Sequence, residues 1–216
     1  MERILEGPAT FYIFGLLISE TVINTWIVMA LLIGFALIAR RRLEMYPGKF
    51  QNFVELIIES ITNLVTSTMG EERKGFAPYM GTLFLFLAVA NMSGIIGLRP
   101  PTADINLTAA LALLTFSAIH YYGLKKKGFG HIKGLAEPLF LFLPLNIIGE
   151  LAKPVSLSMR LFGNIFGGAV IMAMIAGAVG IFVPVLPSLY FDLFAGVLQS
   201  FIFVMLTMVF ITLALE

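Results

Sequence analysis

The sequence predicts an all-α integral membrane protein with five membrane-crossing helices and one amphipathic surface helix. Its 216 residues are 59% hydrophobic and 12% charged, with a mean hydropathy of +0.95, whereas a soluble domain carries about 25% charged residues. Several apolar runs reach the roughly 20 residues that a helix needs to cross the hydrocarbon core. We therefore expect residues 1–216 to form a single membrane domain without a separate soluble unit.

The N-terminal part contains one apolar segment that is too short to span and one that is long enough. Phe11 to Ile18 is expected to lie at the membrane interface. Residues 21–39 form the first predicted span, which ends at Arg40, Arg41 and Arg42. A basic cluster at the end of a span is typical of the cytoplasmic face.

Residues 49–70 alternate apolar and polar side chains at helical spacing, which predicts an amphipathic helix rather than a span. Glu55, Glu59 and Asn63 lie away from its apolar side chains. One apolar face is predicted from Phe53, Leu56, Ile57, Ile61, Leu64 and Val65. This helix could lie on the membrane surface or pack on a partner subunit, and the sequence does not separate the two.

Two ordinary spans are predicted at 77–98 and 107–124, followed by two longer apolar segments at 138–180 and 188–215. As one helix, 138–180 would measure roughly 63 Å at about 1.5 Å per residue, against a hydrocarbon core of about 30 Å. It must tilt strongly, kink or break, and Pro154 and nearby glycines supply places to bend. We expect both long helices to be strongly tilted.

Basic residues predict the orientation of the chain. If Arg40–Arg42 lie in the cytoplasm, the N-terminus is outside and five crossings place the C-terminus in the cytoplasm. The cytoplasmic loops then hold ten of the fourteen Lys and Arg residues. This is the asymmetry that membrane proteins display.

A polar stripe runs along the 138–180 segment. At 100° per residue, one sector of the helix contains Asn146, Glu150, Lys153, Arg160 and Asn164. A charge at bilayer depth costs roughly 3 kcal/mol on insertion scales, and arginine cannot lose its proton there. Two alternatives remain open: Glu150 and Lys153 could be a structural pair, and Arg160 could extend to a lipid headgroup.

The last predicted helix carries Asp192 and Gln199 seven residues apart, nearly on one face. In the predicted orientation Gln199 lies near the depth of Arg160 and Asp192 lies further out. Polar groups thus approach one buried arginine from two helices, which indicates an ion path interrupted by a fixed positive charge. Asp192 could instead cap the helix start near Pro187 and Ser188.

Other function classes find little support in the sequence. There are no cysteines, and His120 and His131 belong to no metal-ligand motif. No nucleophile–base pair or phosphate-binding loop is evident, so we expect no cofactor, no metal, no nucleic-acid partner and no self-contained enzyme. No removable signal peptide is expected. A secondary transporter subunit would predict inverted repeats, and a plain membrane anchor would leave Arg160 without a reason.

The stretch KPVSLSMRLFGN, residues 153–164, resembles the signature of subunit a of bacterial F-type ATP synthases. Similar stretches are PTADIN, PGKFQNFVELI at 47–57 and LQSFIFVMLTMVFITLALE at 198–216. The resemblance implies a stator subunit in the bacterial cell membrane that contacts lipid, a ring of c subunits and b-type peripheral stalk subunits. It implies two half-channels that deliver ions, protons or sodium, to the ring carboxylates during ATP synthesis.

The resemblance also implies roles for particular residues. Arg160 matches the arginine that separates the half-channels, and Gln199 matches the glutamine that faces it from the last helix. On the cytoplasmic side the inner half-channel is expected at Asn146, Glu150, Lys153 and Ser156, with Asn164 continuing the stripe beyond Arg160. Many family members carry Glu where this chain has Ala169 and His where it has Asp192. We therefore expect Asp192 to serve as the outer half-channel carboxylate.

Overall fold

The computed structural model describes residues 8–13, 15–41, 44, 46, 48–128, 130, 143–179 and 189–216. Within these residues the backbone forms six α-helices and one β-hairpin. Some predicted features lie outside the described residues. They are Arg42, His131, Pro187, Ser188 and residues 138–142 and 180 of the fourth predicted span.

The short apolar segment before the first span forms a β-hairpin, which the sequence analysis did not predict. Strand β1 (Thr10–Ile13) pairs antiparallel with β2 (Leu16–Ser19), and Thr10 lies opposite Ser19. Gly15 in the connecting turn has a φ of +80°, a conformation that glycine adopts without steric cost. Helix α1 begins directly after β2, at Glu20.

Five helices among the described residues are long and apolar enough to cross a membrane, which confirms the predicted fold class. Their α-helical parts are α1 (Glu20–Arg41), α3 (Ala77–Met92), α4 (Ile105–Lys127), α5 (Leu143–Val179) and α6 (Gly196–Leu215). Turns of 3-10 helix lengthen α3 at both ends, so that the segment Glu71–Ile96 is continuous. A π-helical turn, Leu189–Ala195, leads into α6. The amphipathic helix is α2 (Lys49–Met69).

Helix α5 is unbroken over 37 residues, with Pro154 inside it. At about 1.5 Å per residue it measures about 55 Å, well beyond the hydrocarbon thickness of about 30 Å. Of the expected tilt, kink or break, a break is excluded between residues 143 and 179. The strong tilt of α5 and α6 stays a prediction. Pro154 removes one backbone hydrogen bond, and such a loss is tolerated in membrane helices where neighbouring groups compensate.

Helix α6 lies at the centre of the bundle and packs against α2, α3, α4 and α5. Its side chains Phe203, Val204, Met208 and Ile211 are almost fully buried. Helix α4 also packs along α5. The core therefore fixes α5 and α6, the two helices that carry the predicted site, against a common support.

The apolar face predicted for α2 divides into two parts in the structure. Val65 and Met69 are buried in the core shared with α3 and α6. Phe53 and Leu56 are 55% and 62% exposed. The C-terminal half of α2 thus packs in the core, and the exposed apolar side chains of its N-terminal half fit either alternative, the membrane surface or a partner subunit.

Candidate functional site

Helix α5 presents one face to the bundle and leaves the opposite face open. Leu157 and Leu161 are 3% and 0% exposed and pack in the core. Ser156, Arg160 and Asn164 lie on the exposed side. Their neighbours on this side are apolar and exposed, and they include Leu151, Val155, Met159 and Ile171. The predicted arginine thus lies on a surface that is mostly hydrophobic, with Ser156 and Asn164 one turn away on either side.

The guanidinium of Arg160 forms no hydrogen bond or salt bridge within the part of the chain that the structure describes. It lines a cleft of about 240 Å³ between α5 and α6. The cleft is lined by Gly149, Ala152, Lys153, Ser156, Leu157, Arg160, Leu206 and Phe210. Three of the residues predicted from the sequence, Lys153, Ser156 and Arg160, therefore share one concave surface.

Glu150 and Lys153 form a salt bridge, Lys153 Nζ to Glu150 Oε1. Their side chains are 24% and 30% exposed, so the pair is not sealed inside the bundle. The Lys153 ammonium also lies 5.5 Å from the centre of the Phe210 ring, within range of a cation–π interaction. The pairing that the sequence left as an alternative is thus present, and it stands at the cleft rather than apart from it. Asn146, one turn earlier, is half-buried.

Gln199 lies beside α5 but binds Asn164 instead of Arg160. Its Oε1 accepts a hydrogen bond from Asn164 Nδ2, which joins α6 to α5. Gln199 is 2% exposed, and its Nε2 has no partner among the described residues. Asn164 follows Arg160 by four residues, about 6 Å along the helix. Gln199 therefore lies one turn from the arginine with one donor unused.

Asn91 is not among the site residues predicted from the sequence, but the structure makes it a junction between three segments. Its side chain is fully buried. Asn91 Nδ2 donates to the Gly196 carbonyl and to Ser200 Oγ, both at 2.9 Å, and its Oδ1 accepts from Thr102 Oγ1 at 2.6 Å. A Cβ at Gly196 would lie 3.0 Å from Asn91 Cβ, so any larger residue there would require Asn91 to shift. The junction fixes the first turn of α6, which carries Gln199, against α3.

Further buried polar contacts continue from this junction toward the start of α4. Thr21 Oγ1 donates to Asp104 Oδ2 at 2.8 Å, and Asn24 Nδ2 donates to the Arg99 carbonyl at 3.0 Å. Asp104 Oδ1 also accepts from the Asn106 backbone N–H, which makes Asp104 the N-cap of α4. No spacing rule could have found these contacts, because they join residues 75 and 83 positions apart.

A model of the ATP synthase A chain family matches residues 22–212. The chain belongs to this family. It is 41% identical to the "ATP synthase subunit a, sodium ion specific" of Propionigenium modestum, over 92% of this chain and 75% of that protein. It is 39% identical to "ATP synthase subunit a" of Trichlorobacter lovleyi, over 92% and 88%. It is 37% identical to "ATP synthase subunit a 2" of a Bradyrhizobium species, over 96% and 93%.

Membership of the ATP synthase A chain family confirms the resemblance to bacterial F-type subunit a. The chain is therefore a membrane subunit of a larger complex and not an enzyme on its own. Its five long apolar helices and its family together make it a multi-pass membrane protein. The individual roles of Arg160, Gln199 and the other predicted site residues are a separate question.

Asp192 lies in the π-helical turn Leu189–Ala195 that precedes α6. π-helical turns are rare in proteins, and those that do occur are often found at functional sites. The side chain of Asp192 is outside the described part of the chain, and so is Ser188 of the alternative helix cap. Ala169 is half-buried on α5. The role of Asp192 as an outer carboxylate therefore stays a prediction.

Proposed function

We propose that this chain is the ion-translocating stator subunit of a rotary ATP synthase, with two half-channels that meet the carboxylates of a c-ring on either side of Arg160. One observation carries the proposal. Arg160 is exposed on an apolar face of α5 and has no hydrogen-bond or ion-pair partner among the described residues. An arginine in this setting is costly in a membrane unless a partner or water meets it.

The proposed mechanism follows from the fixed charge of the guanidinium. A ring carboxylate that passes within a few ångströms of Arg160 is favoured in its ionised form, because an opposite charge stabilises it. The carboxylate then releases the ion that it carries. The same positive charge repels a free cation, so an ion cannot pass directly from one half-channel to the other. Transport is thereby coupled to movement of the ring.

The cleft between α5 and α6 is proposed as the inner half-channel, on the cytoplasmic side. Glu150, Lys153 and Ser156 line or border it on the way to Arg160, and Asn146 lies one turn further along. Charged and hydroxyl side chains that are partly exposed favour water in this cleft. The Glu150–Lys153 pair leaves little net charge there, so it does not oppose the passage of a cation.

The outer half-channel is proposed to reach Gln199 and Asn164 by way of Asp192. The hydrogen bond between Asn164 and Gln199 supports this, because it places an amide pair one turn from Arg160. The Nε2 of Gln199 is buried without a partner among the described residues, so it leaves a donor for a water molecule inside the proposed path. The junction at Asn91 holds α6 in the register that keeps Gln199 in this place.

The coupled ion, proton or sodium, is open in this proposal because the Arg160 mechanism serves both. Ion-driven and ATP-driven transport in proteoliposomes, measured with and without Na⁺, decides between them. A strict requirement for Na⁺ would assign sodium, and transport at full rate without Na⁺ would assign protons. We place the chain in the bacterial cell membrane, with its C-terminus in the cytoplasm. Its proposed neighbours include the b-type subunits of the peripheral stalk.

The test of the proposal is Arg160→Ala in the assembled complex. We expect ATP-driven pumping and ion-driven synthesis to be lost while the subunit still assembles, because removal of a charge eases membrane insertion. Arg160→Lys should also fail, since a compact ammonium does not reproduce the planar, weakly hydrated guanidinium. Arg41→Ala, an exposed arginine at the end of α1, is the matched control. Normal coupled synthesis with Arg160→Ala would refute the assigned role.

A further inference from the structure

A second large cavity lies away from the cleft at Arg160, between α1, α2 and α3. Its volume is about 540 Å³, and it shares no lining residue with that cleft. The cavity, called here the α1–α3 groove, is lined by Leu32, Ile33, Phe35, Ala36, Ala39, Arg40, Val54, Ile57, Ile58, Thr82 and Leu85. Neither the ion path nor the core packing uses this space.

The side chains that line the α1–α3 groove are apolar, apart from two polar residues. Of its two polar lining residues, Thr82 already donates its hydroxyl hydrogen to the Pro78 carbonyl at 2.8 Å. The other is Arg40 in the last turn of α1, which forms no ion pair with a described residue. Arg41 is exposed beside it. The groove thus offers an apolar trough that ends in a positive charge.

The acidic side chains near this end do not neutralise the arginine in the structure. Gln51 Nε2 donates to Glu55 Oε1 at 2.8 Å, and Gln51 Oε1 accepts from the Glu44 backbone N–H at 2.9 Å. The Glu55 carboxylate is therefore engaged by an amide on its own helix. Neither Glu44 nor Glu55 forms a salt bridge with a described residue.

The rim of the α1–α3 groove is apolar and open. Ile33 and Ile58, on opposite walls, are 60% and 59% exposed. The rings of Phe35 and Phe50 meet edge to face, 5.9 Å apart, and connect α1 to α2 beside the arginine. An occupant can therefore enter sideways from the hydrocarbon phase, and its polar end must lie at Arg40.

We propose that the α1–α3 groove binds an anionic phospholipid, with an acyl chain along the trough and the phosphate at Arg40. An apolar body with one anionic end is the chemistry that this lining complements. Basic pockets between transmembrane helices bind anionic headgroups, and each basic side chain near such a headgroup increases the affinity for the lipid. A zwitterionic lipid carries its own ammonium group, so it gains less from Arg40. The proposal is independent of the ion path at Arg160.

The test uses the assembled complex, purified, stripped of loosely bound lipid and reconstituted at varied ratios of phosphatidylglycerol to phosphatidylcholine. Lipid that stays with the complex is measured by mass spectrometry. We expect native complex to retain phosphatidylglycerol selectively. Arg40→Gln should need about fivefold more of it for the same retention, the effect of one basic side chain near an anionic headgroup. Ala36→Trp should remove the bound lipid by filling the trough.

Leu37→Trp is the matched control, because Leu37 is the next residue on α1, is 54% exposed and does not line the groove. It should retain lipid like the native chain. Equal retention by Arg40→Gln and the native complex, or no preference for phosphatidylglycerol, would overturn the proposal. A photo-crosslinking amino acid at Ala36 gives a direct check that does not depend on Ala36→Trp assembling. Crosslinks to lipid support the proposal, whereas crosslinks to another subunit would assign the groove to a protein partner and refute it.

Discussion

Replacement of Asn91 by leucine should destabilise the helical bundle, because this buried side chain joins α3 to α6. Leucine keeps the number and branching of the side-chain heavy atoms of asparagine but can neither donate nor accept a hydrogen bond. The Asn91 side chain is fully buried and holds Gly196, Ser200 and Thr102 by three hydrogen bonds. The variant therefore removes the polar contacts of the junction, and the larger methyl groups of leucine add to the loss in this tightly packed site.

The size of the loss in stability follows from what happens to each hydrogen-bond partner of Asn91. The two bonds that Asn91 donates are worth about 1 kcal/mol together, at the membrane-protein average of about 0.6 kcal/mol each. The Gly196 carbonyl keeps a second donor, because Ser200 Oγ also donates to it at 2.8 Å. The Thr102 hydroxyl loses its acceptor inside the protein, which costs about 1 to 3 kcal/mol. From these lost hydrogen bonds we expect the free energy of opening of the bundle to fall by about 2 to 4 kcal/mol in total.

The absence of cysteines in the chain makes the measurement direct. A reporter cysteine at Ala112, which is 1% exposed on α4, reacts with a thiol reagent only when the bundle opens. When opening and closing are fast compared with labelling, the labelling rate reports the free energy of opening. A loss of about 2 to 4 kcal/mol then accelerates labelling by about 30-fold to about 1,000-fold.

Asn63→Leu provides the control for this prediction. It is the same chemical change at an exposed position of α2, where the effect should be within about 0.5 kcal/mol. Ser200→Ala combined with Asn91→Leu closes a double-mutant cycle, with an expected coupling between Asn91 and Ser200 of about 0.6 kcal/mol. If Asn91→Leu labels at the rate of Asn63→Leu, the junction does not stabilise the bundle and the reasoning fails.

Three further predictions concern the proposed ion path. A cysteine at Ser156, which is exposed at the cleft, should react with a water-soluble thiol reagent from the cytoplasmic side, whereas a cysteine at Leu157, 3% exposed, should stay protected. Equal protection of both would count against a wet inner path. Asp192→Asn keeps capping ability but loses the titratable group, so ion transport in proteoliposomes should fall sharply with assembly intact; transport at the native rate would leave Asp192 as a cap only. Glu150→Gln should change stability by less than about 1 kcal/mol in the same labelling assay, because the pair with Lys153 is partly exposed; a larger loss would show a buried, structural pair.

The helices were predictable because the membrane imposes a simple rule on sequence. A span must be long and apolar so that its backbone groups are satisfied within the helix. The five apolar runs therefore indicated the fold class directly, and α5 is continuous over the described part, Leu143–Val179, of the predicted 138–180 segment. The polar stripe was equally visible, since helical periodicity alone places Arg160 and Asn164 on one face.

Contacts between helices were not predictable, because periodicity fixes a face but not the neighbour that meets it. Asn91 and Ser200 are 109 positions apart, and Asn164 and Gln199 are 35 apart. The family resemblance suggested that Gln199 faces Arg160, yet its amide oxygen is taken by Asn164. The β-hairpin at Thr10–Ser19 was missed because eight apolar residues fit an interfacial segment as well as two short strands.

The position of Arg160 argues that the chain on its own is an incomplete site. An arginine in the bilayer costs about 2.5 to 3.5 kcal/mol on insertion scales, and the described residues offer this one no compensating anion. Escape to a headgroup would not require small neighbours, yet a Cβ at Gly163 or Gly167 would meet nothing within 4 Å. Open space beside small residues is what allows another helix to approach closely. The open space at these glycines fits the close approach of a partner helix, and in the proposed mechanism the ring carboxylate would compensate the guanidinium as it passes.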